Sequence, residues 1–200
     1  MSRHFIAFTL LVSFLTSTVL FSCKKDNDKG PFAGRISESE KLTIPAAIDL
    51  PANLPGGNIR VATYYAEGVQ KYKSQQVSGF PGTYEWIFVA PEANLYEANN
   101  NKVGSHGAGP HWKLSNGTDS IYAQQFAPAR FAVSPDPNAI DWLLLMTKAG
   151  TTPSGVFANV AYIQRIATTG GKKPSQSPTA EGQFTNIPYT AVYRFTKINQ

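Results

Sequence analysis

Near the carboxyl end the chain reads Tyr189-Thr190-Ala191-Val192-Tyr193-Arg194-Phe195-Thr196. Tyr189, Ala191, Tyr193 and Phe195 recur at period two on one side; Thr190, Val192, Arg194 and Thr196 occupy the other. That alternation predicts a half-buried β-strand, and aromatic and β-branched residues suit a pleated surface. Three more runs share the character. Residues 59–65 put Ile59, Val61, Thr63 and Tyr65 on one face. Residues 84–90 are apolar on both faces apart from Glu85, as in a central strand. Residues 155–168 set Val156, Ala158, Val160 and Tyr162 against Phe157, Asn159, Ala161 and Ile163. Residues 111–114 and 120–123 flank a turn with Asn116-Gly117, which tolerates positive φ and predicts a hairpin. Residues 139–148 fit a short helix or a buried strand, and strand is the preferred reading.

Gly and Pro punctuate the chain between these runs. Short strands at such spacing predict an all-β fold, a single antiparallel sandwich or barrel-like domain over residues 42–200. Charged residues are 16% of the chain, against about 25% in typical soluble domains. Aromatics reach 12%. This composition excludes a coiled coil or an acidic tail and supplies a real core. The net charge of +5 is mild, and no nucleic-acid partner is expected. One cysteine excludes an intramolecular disulfide and a multi-cysteine zinc site.

The amino terminus places the protein. Arg3 precedes residues 5–21, which carry no charge, and Ser22, Cys23, Lys24 and Lys25 follow. A basic start, an apolar run and a small residue before the cut make an export signal over residues 1–22. Leu20-Phe21-Ser22-Cys23 resembles a bacterial lipobox. That resemblance implies lipidation of Cys23 and attachment to the cell envelope, on either face of the outer membrane. Phe21 departs from the pattern, which usually has a small residue there. Acylation also removes an unpaired thiol from an oxidising compartment. Residues 23–41 then form a lipidated tether, and its Lys and Asp content resembles the charged runs of Bacteroidetes surface lipoproteins.

Two constellations carry chemistry. Residues 104–112 hold His106 and His111 among glycines and Pro110. They are candidates for general acid–base catalysis in a small hydrolase-like enzyme. With a third ligand such as Glu92, Asp119 or Asp141 they become metal candidates. The alternative is a tight turn whose histidines bond backbone carbonyls, and neither a resident metal nor a cofactor is expected. No Gly-x-Ser-x-Gly elbow and no phosphate-cradling loop is present. The second constellation is aromatic. Trp86 and Trp112, with polar neighbours such as Gln70, Glu85 and Gln164, are candidate ligand-binding residues for a glycan. Glu92, Asp119 and Arg165 complete the candidate ligand-binding set, Arg165 as a structural ion paired with a carboxylate or as a residue suited to bidentate anion recognition. The alternative is that the rings fill the core. The leading expectation is a non-catalytic surface binding module; a purely structural envelope protein is the third reading. Oligomeric state is not legible.

Several segments together resemble a known family. They are Gly68-Val69-Gln70-Lys71-Tyr72, Trp86 with Ala90-Pro91-Glu92-Ala93-Asn94-Leu95, and residues 103–112. Asn116-Gly117-Thr118, Ile140-Asp141-Trp142-Leu143-Leu144, residues 163–171 with Pro174, and Ile187-Pro188-Tyr189-Thr190-Ala191 complete the set. The chain thereby resembles the family known as domain of unknown function 3455, found in bacteria and fungi. The resemblance implies one compact exported domain and supplies no catalytic residue. It also implies that Ser74 and Ser177 stand where many relatives have cysteines. Loss of such a disulfide removes about 3–4 kcal/mol for a long loop.

Labelled palmitate supplied to a lipoprotein-competent bacterial host is expected to enter the wild-type chain but not Cys23→Ala. An unlabelled wild-type chain rules out the anchor.

Overall fold

A computed structural model describes residues 31–199. The expected signal over residues 1–22 and the expected lipidation site Cys23 lie outside the described residues. Eight strands form an antiparallel sheet that closes on itself in sequence order. They are β1 (Asn58–Gln76), β2 (Tyr84–Tyr96), β3 (Lys102–Gly107), β4 (His111–Leu114), β5 (Ser120–Ala132), β6 (Trp142–Thr147), β7 (Val160–Gly170) and β8 (Phe184–Ile198). The all-β expectation holds, and of its two forms the chain adopts the barrel. Residues 139–148 contain the strand β6, as preferred.

β1 makes closure possible. It pairs with β8 from Asn58 to Lys73 and with β2 from Tyr65 to Gln76. A Cβ on Gly68 would lie 2.0 Å from the Glu92 carbonyl oxygen and 2.5 Å from Ala93 Cα. The glycine therefore lets the backbones of β1 and β2 approach closely.

The alternation expected for β8 is borne out: Tyr189, Ala191, Tyr193 and Phe195 all enter the interior cluster. Tyr64 and Ala66 of β1, Trp112 of β4, Ile121 and Ala123 of β5 and Ile163 of β7 join them. Trp112 is fully buried and meets Tyr193 and Phe195 edge to face, at 5.1 and 5.5 Å between centroids. The residues expected on one face of β1 divide, with Val61 packed against the interior cluster and Tyr65 outside it. The register against β8 shifts between Arg60 and Ala62, and an extra residue reverses the parity of a strand. Tyr64 thus points in, whereas Tyr65 packs in a separate outer cluster.

Two other local expectations are corrected. Residues 155–157 form a 3-10 turn, and β7 starts only at Val160. Phe157 is fully buried and packs on Phe195 at 4.7 Å and on Tyr64 at 6.2 Å, which plugs one end of the barrel. Residues 84–90 do not form a doubly covered strand. Phe88 and Val89 are 54% and 49% exposed, because they lie at the opposite, unplugged end.

The stretch expected as tether contributes to the fold. Pro31–Glu40 forms a helix, α1, and Ala46–Ile48 a 3-10 turn. Both lie on the outer face of the barrel. Phe32 packs against Tyr65 and Tyr96 at 4.8 and 4.4 Å. Ile48 is fully buried with Trp142, Leu144, Ile166 and Val192. Polar contacts fix this strap: Gln164 Nε2 donates to the Ile48 carbonyl at 2.9 Å. Arg130 Nε donates to the Ala47 carbonyl at 3.0 Å and its Nη2 to the Asp49 carbonyl at 2.8 Å. Arg194 Nη2 donates to the Ser39 carbonyl at 2.7 Å and lies 3.2 Å from Glu40. Arginines thus satisfy carbonyls that the ends of these short helices leave open. The strap explains why the Val192, Arg194 and Thr196 face of β8 is buried as well.

Ile48→Ala removes a fully buried side chain and is expected to cost about 2–5 kcal/mol. Urea unfolding checks this; an unchanged midpoint would show that the strap adds nothing to stability.

Candidate functional site

The interior is filled at the plugged end and hollow at the other. A chamber of about 170 Å³ is lined by Gln70, Phe88, His106, Trp112, Leu143, Leu145, Arg165 and Tyr193, among others. Gln70, Phe88, Gln125, Leu143 and Arg165 also line a wider vestibule of about 750 Å³, with Tyr72, Trp86, Phe131, Asp141, Lys172 and Lys173. The chamber is mostly apolar and aromatic, with a few polar groups at its edge, the usual make-up of a small-molecule pocket.

Strand alternation puts these side chains together. Arg165 of β7 faces Leu143 across β6 and Tyr193 across β8. Its Nε and Nη2 donate to the Asp141 carbonyl at 3.1 and 2.7 Å. Gln70 Nε2, Trp112 Nε1 and the Tyr193 hydroxyl are buried and have no hydrogen-bond partner among the described residues. The Tyr193 hydroxyl lies near Tyr189 and Arg165 but meets neither in hydrogen-bond geometry. Burial raises the Tyr193 and Tyr189 phenol pKa values, and the Arg165 charge opposes the rise in both. Tyr72 is raised in the same way, and its hydroxyl donates to the Gly171 carbonyl at 2.6 Å.

His106 stands in the chamber wall, its ring stacked on Trp112 at 4.5 Å and 12°. Its Nδ1 lies 2.8 Å from the His111 carbonyl oxygen. A carbonyl only accepts, so Nδ1 carries the proton and Nε2 remains an acceptor. Burial pushes the His106 pKa down to about 3; the carbonyl bond opposes this, and the Arg165 charge reinforces it. The ring is therefore neutral at ordinary pH. His111 is oriented away from it: its Nδ1 bonds the Ala108 carbonyl at 2.7 Å and its ring stacks on Tyr122, which is exposed. The two candidate histidines thus form no dyad. Among the described residues, no group of three or more His, Cys, Asp or Glu converges as a metal site.

The other candidates separate in space. Trp112 and Arg165 line the chamber, and Trp86 borders the vestibule, its Nε1 donating to the Gln176 carbonyl at 3.0 Å. Glu92 pairs with Lys71 and is exposed. Gln164 serves the strap. Asp119 holds the plug: its carboxylate accepts the Val156 N–H at 3.1 Å and the Thr118 hydroxyl at 2.9 Å. Gly155, at φ +61°, is required beside it, since a Cβ there would fall 1.8 Å from the Asp119 carboxylate. Tyr193 and Leu143 were not among the sequence candidates. The signal was present in the alternation of β8, but period alone does not separate a lumen wall from a filled core.

Residues 171–183 bound the vestibule through Lys172 and Lys173. Ser74 pins this segment, donating to the Ala180 carbonyl at 2.6 Å and accepting the Gln183 N–H at 2.8 Å. Ser177 is exposed. A hydrogen-bonded serine thus holds the loop where the resemblance implies a cysteine in relatives.

Fold and site define an eight-stranded up-and-down barrel with one plugged end and a ligand-sized lumen at the other. The chain belongs to the family described as Protein of unknown function (DUF3455), whose model matches residues 55–197, the extent of the barrel without its strap. No curated protein and no solved structure matches it.

Between pH 6.5 and about 3 the unfolded His106 binds a proton that the folded one refuses. Stability therefore falls as pH drops through that window, and the His106 share is fully present above it. The slope from this group is expected to approach about 1.4 kcal/mol per pH unit. Denaturation of His106→Gln should lack that increment; an unchanged slope would place the acid sensitivity elsewhere.

Proposed function

We propose that this protein is a non-catalytic binding module of the cell envelope, anchored through Cys23, whose small ligand sits in the barrel lumen. The observation that carries the reading is the chamber itself, apolar within and joined to the vestibule by five shared lining residues. Among the described residues six buried side-chain polar atoms lack a protein partner, and three of them, on Gln70, Trp112 and Tyr193, belong to residues of the chamber wall, where a ligand can meet them. A stacking platform for an exposed sugar chain has less support. Trp112 is fully buried, Trp142 lies beneath the strap, and Trp86 is tied to Gln176. A sugar small enough to enter the vestibule is compatible with the same site. The tethered histidines give no observation that favours hydrolysis.

Neutral ring-sized probes such as indole and benzyl alcohol are expected to bind the wild-type protein saturably and to raise its melting temperature. A ligand at 100 times its Kd stabilises by about 2.7 kcal/mol. Leu143→Trp, at the junction of chamber and vestibule, should abolish the effect. Equal stabilisation of wild type and variant, or no saturable binding of any ring-sized probe, would defeat the lumen reading.

A further inference from the structure

Arg165 is the one formally charged side chain in the wall of the chamber. Its guanidinium plane is set by the Asp141 carbonyl, which takes Nε and one Nη2 proton. Among the described residues Nη1 meets no acceptor, and no carboxylate lies within 4.0 Å of the group. The Asp141 carboxylate borders the vestibule, but Lys172 and Lys173 border it too, so the entrance is net cationic. The titratable groups on which the Arg165 charge acts are Tyr72, His106, Tyr189 and Tyr193. All four are neutral, so none of these groups balances it.

A partly buried charge costs free energy unless it is paired. The free Nη1–Nη2 edge of a guanidinium offers two parallel donors, which match the two oxygens of a carboxylate. Gln70 and Tyr193 share the chamber wall and have polar capacity to spare. The remaining wall is apolar, with Trp112, Leu145 and Phe88. An apolar cavity of about 150 Å³ accepts benzene, so a chamber of about 170 Å³ holds roughly one six-membered ring. A carboxylate needs only this one cation, whereas the second charge of a phosphate monoester would have to reach Lys172 or Lys173 across the vestibule.

We infer that the ligand is a small monocarboxylic acid whose carboxylate pairs with the free edge of Arg165 and whose body, one ring or an equivalent alkyl chain, enters the chamber. The inference rests on the lumen reading and adds the chemical class. Benzoate, phenylacetate and hexanoate lie within the class; longer acids would project through the vestibule.

The test is calorimetric titration of the full chain with benzoate, phenylacetate and hexanoate, and with their neutral amides. The acids are expected to bind at least about tenfold tighter than the amides, consistent with a hydrogen bond to a charged group. Because this comparison uses the wild-type chain, it does not depend on any variant folding. Arg165→Gln should bring the acids down to the affinity of the amides, and Arg165→Lys should recover only part of the difference. Amides that bind as tightly as acids, both being lost in Leu143→Trp, would overturn the carboxylate inference and leave the lumen reading standing. Tighter binding of phenyl phosphate than of benzoate would overturn it in favour of a phosphate ligand. If neither acids nor amides bind, the inference and the lumen reading fall together.

Discussion

The pairing of β1 with β8 is the constraint on which the rest depends. It runs from Asn58 opposite Ile198 to Lys73 opposite Phe184 and joins the two ends of the sheet. An open sheet of this length would leave two edges with unpaired backbone groups. Closure removes them and makes the two faces unequal, one turned to a lumen and one outward. Each inward side chain then has neighbours from strands far away in sequence. Alanines at 66, 93, 123 and 191 lie among Tyr64, Trp112, Tyr193 and Phe195, so small and large side chains share the filled half of the barrel. The long pairing also explains the size of β1, which must reach both neighbours while curving past Gly68.

The two ends of the barrel differ because of one loop. At one end the connection from β6 to β7 turns inward and places Phe157 against Phe195 and Tyr64. Asp119 latches that turn from the neighbouring hairpin, and Gly155 leaves room for its carboxylate. At the other end the loop from β7 to β8 stays at the rim, tied by Ser74 and Trp86. A barrel of eight strands is just wide enough either to be filled by side chains or to hold one small ligand. Here the plug divides it, with packing below and the chamber above. Arg165 stands between chamber and vestibule, where a charge can be partly desolvated and still meet an anion from solvent.

The strap gives the outer face its second layer. Arg130, Arg194 and Gln164 reach from the barrel to carbonyls of the strap, so outward polar side chains on β5, β7 and β8 are structural partners rather than solvent contacts. This is why Gln164 and Arg165, adjacent in sequence, have separate fates. One holds the strap on the outside, and the other enters the lumen.

Much of this was legible in the sequence. The period-two pattern of residues 189–196, the Asn116-Gly117 hairpin and the density of Gly and Pro determined an all-β antiparallel chain, and the family motifs ran along it in order. The expected short strands did not hold, since β1 runs to 19 residues and β8 to 15. The two alternating sets of β8 stayed on separate faces, because the register shifts opposite this stretch lie in β1 and β7 and add no residue to β8 itself. The expected half-burial did not hold, since the strap covers the second face. β1 was misread where a register shift between Arg60 and Ala62 reverses parity, a feature that depends on the partner strand. Residues 31–41 read as tether because their apolar residues are few; Phe32 and Ile36 gain their meaning only from Tyr65 and Tyr96 beneath them. Among the candidate site residues, chemical type was visible but position was not. His106 and His111 are five residues apart, yet one faces the chamber and the other the surface, since strand and turn geometry sends them to different sides. Sequence by itself determined the strands, the low charge and the residue types available for chemistry. Tertiary structure alone decided which of those residues meet, because the lumen exists only once β8 has returned to β1.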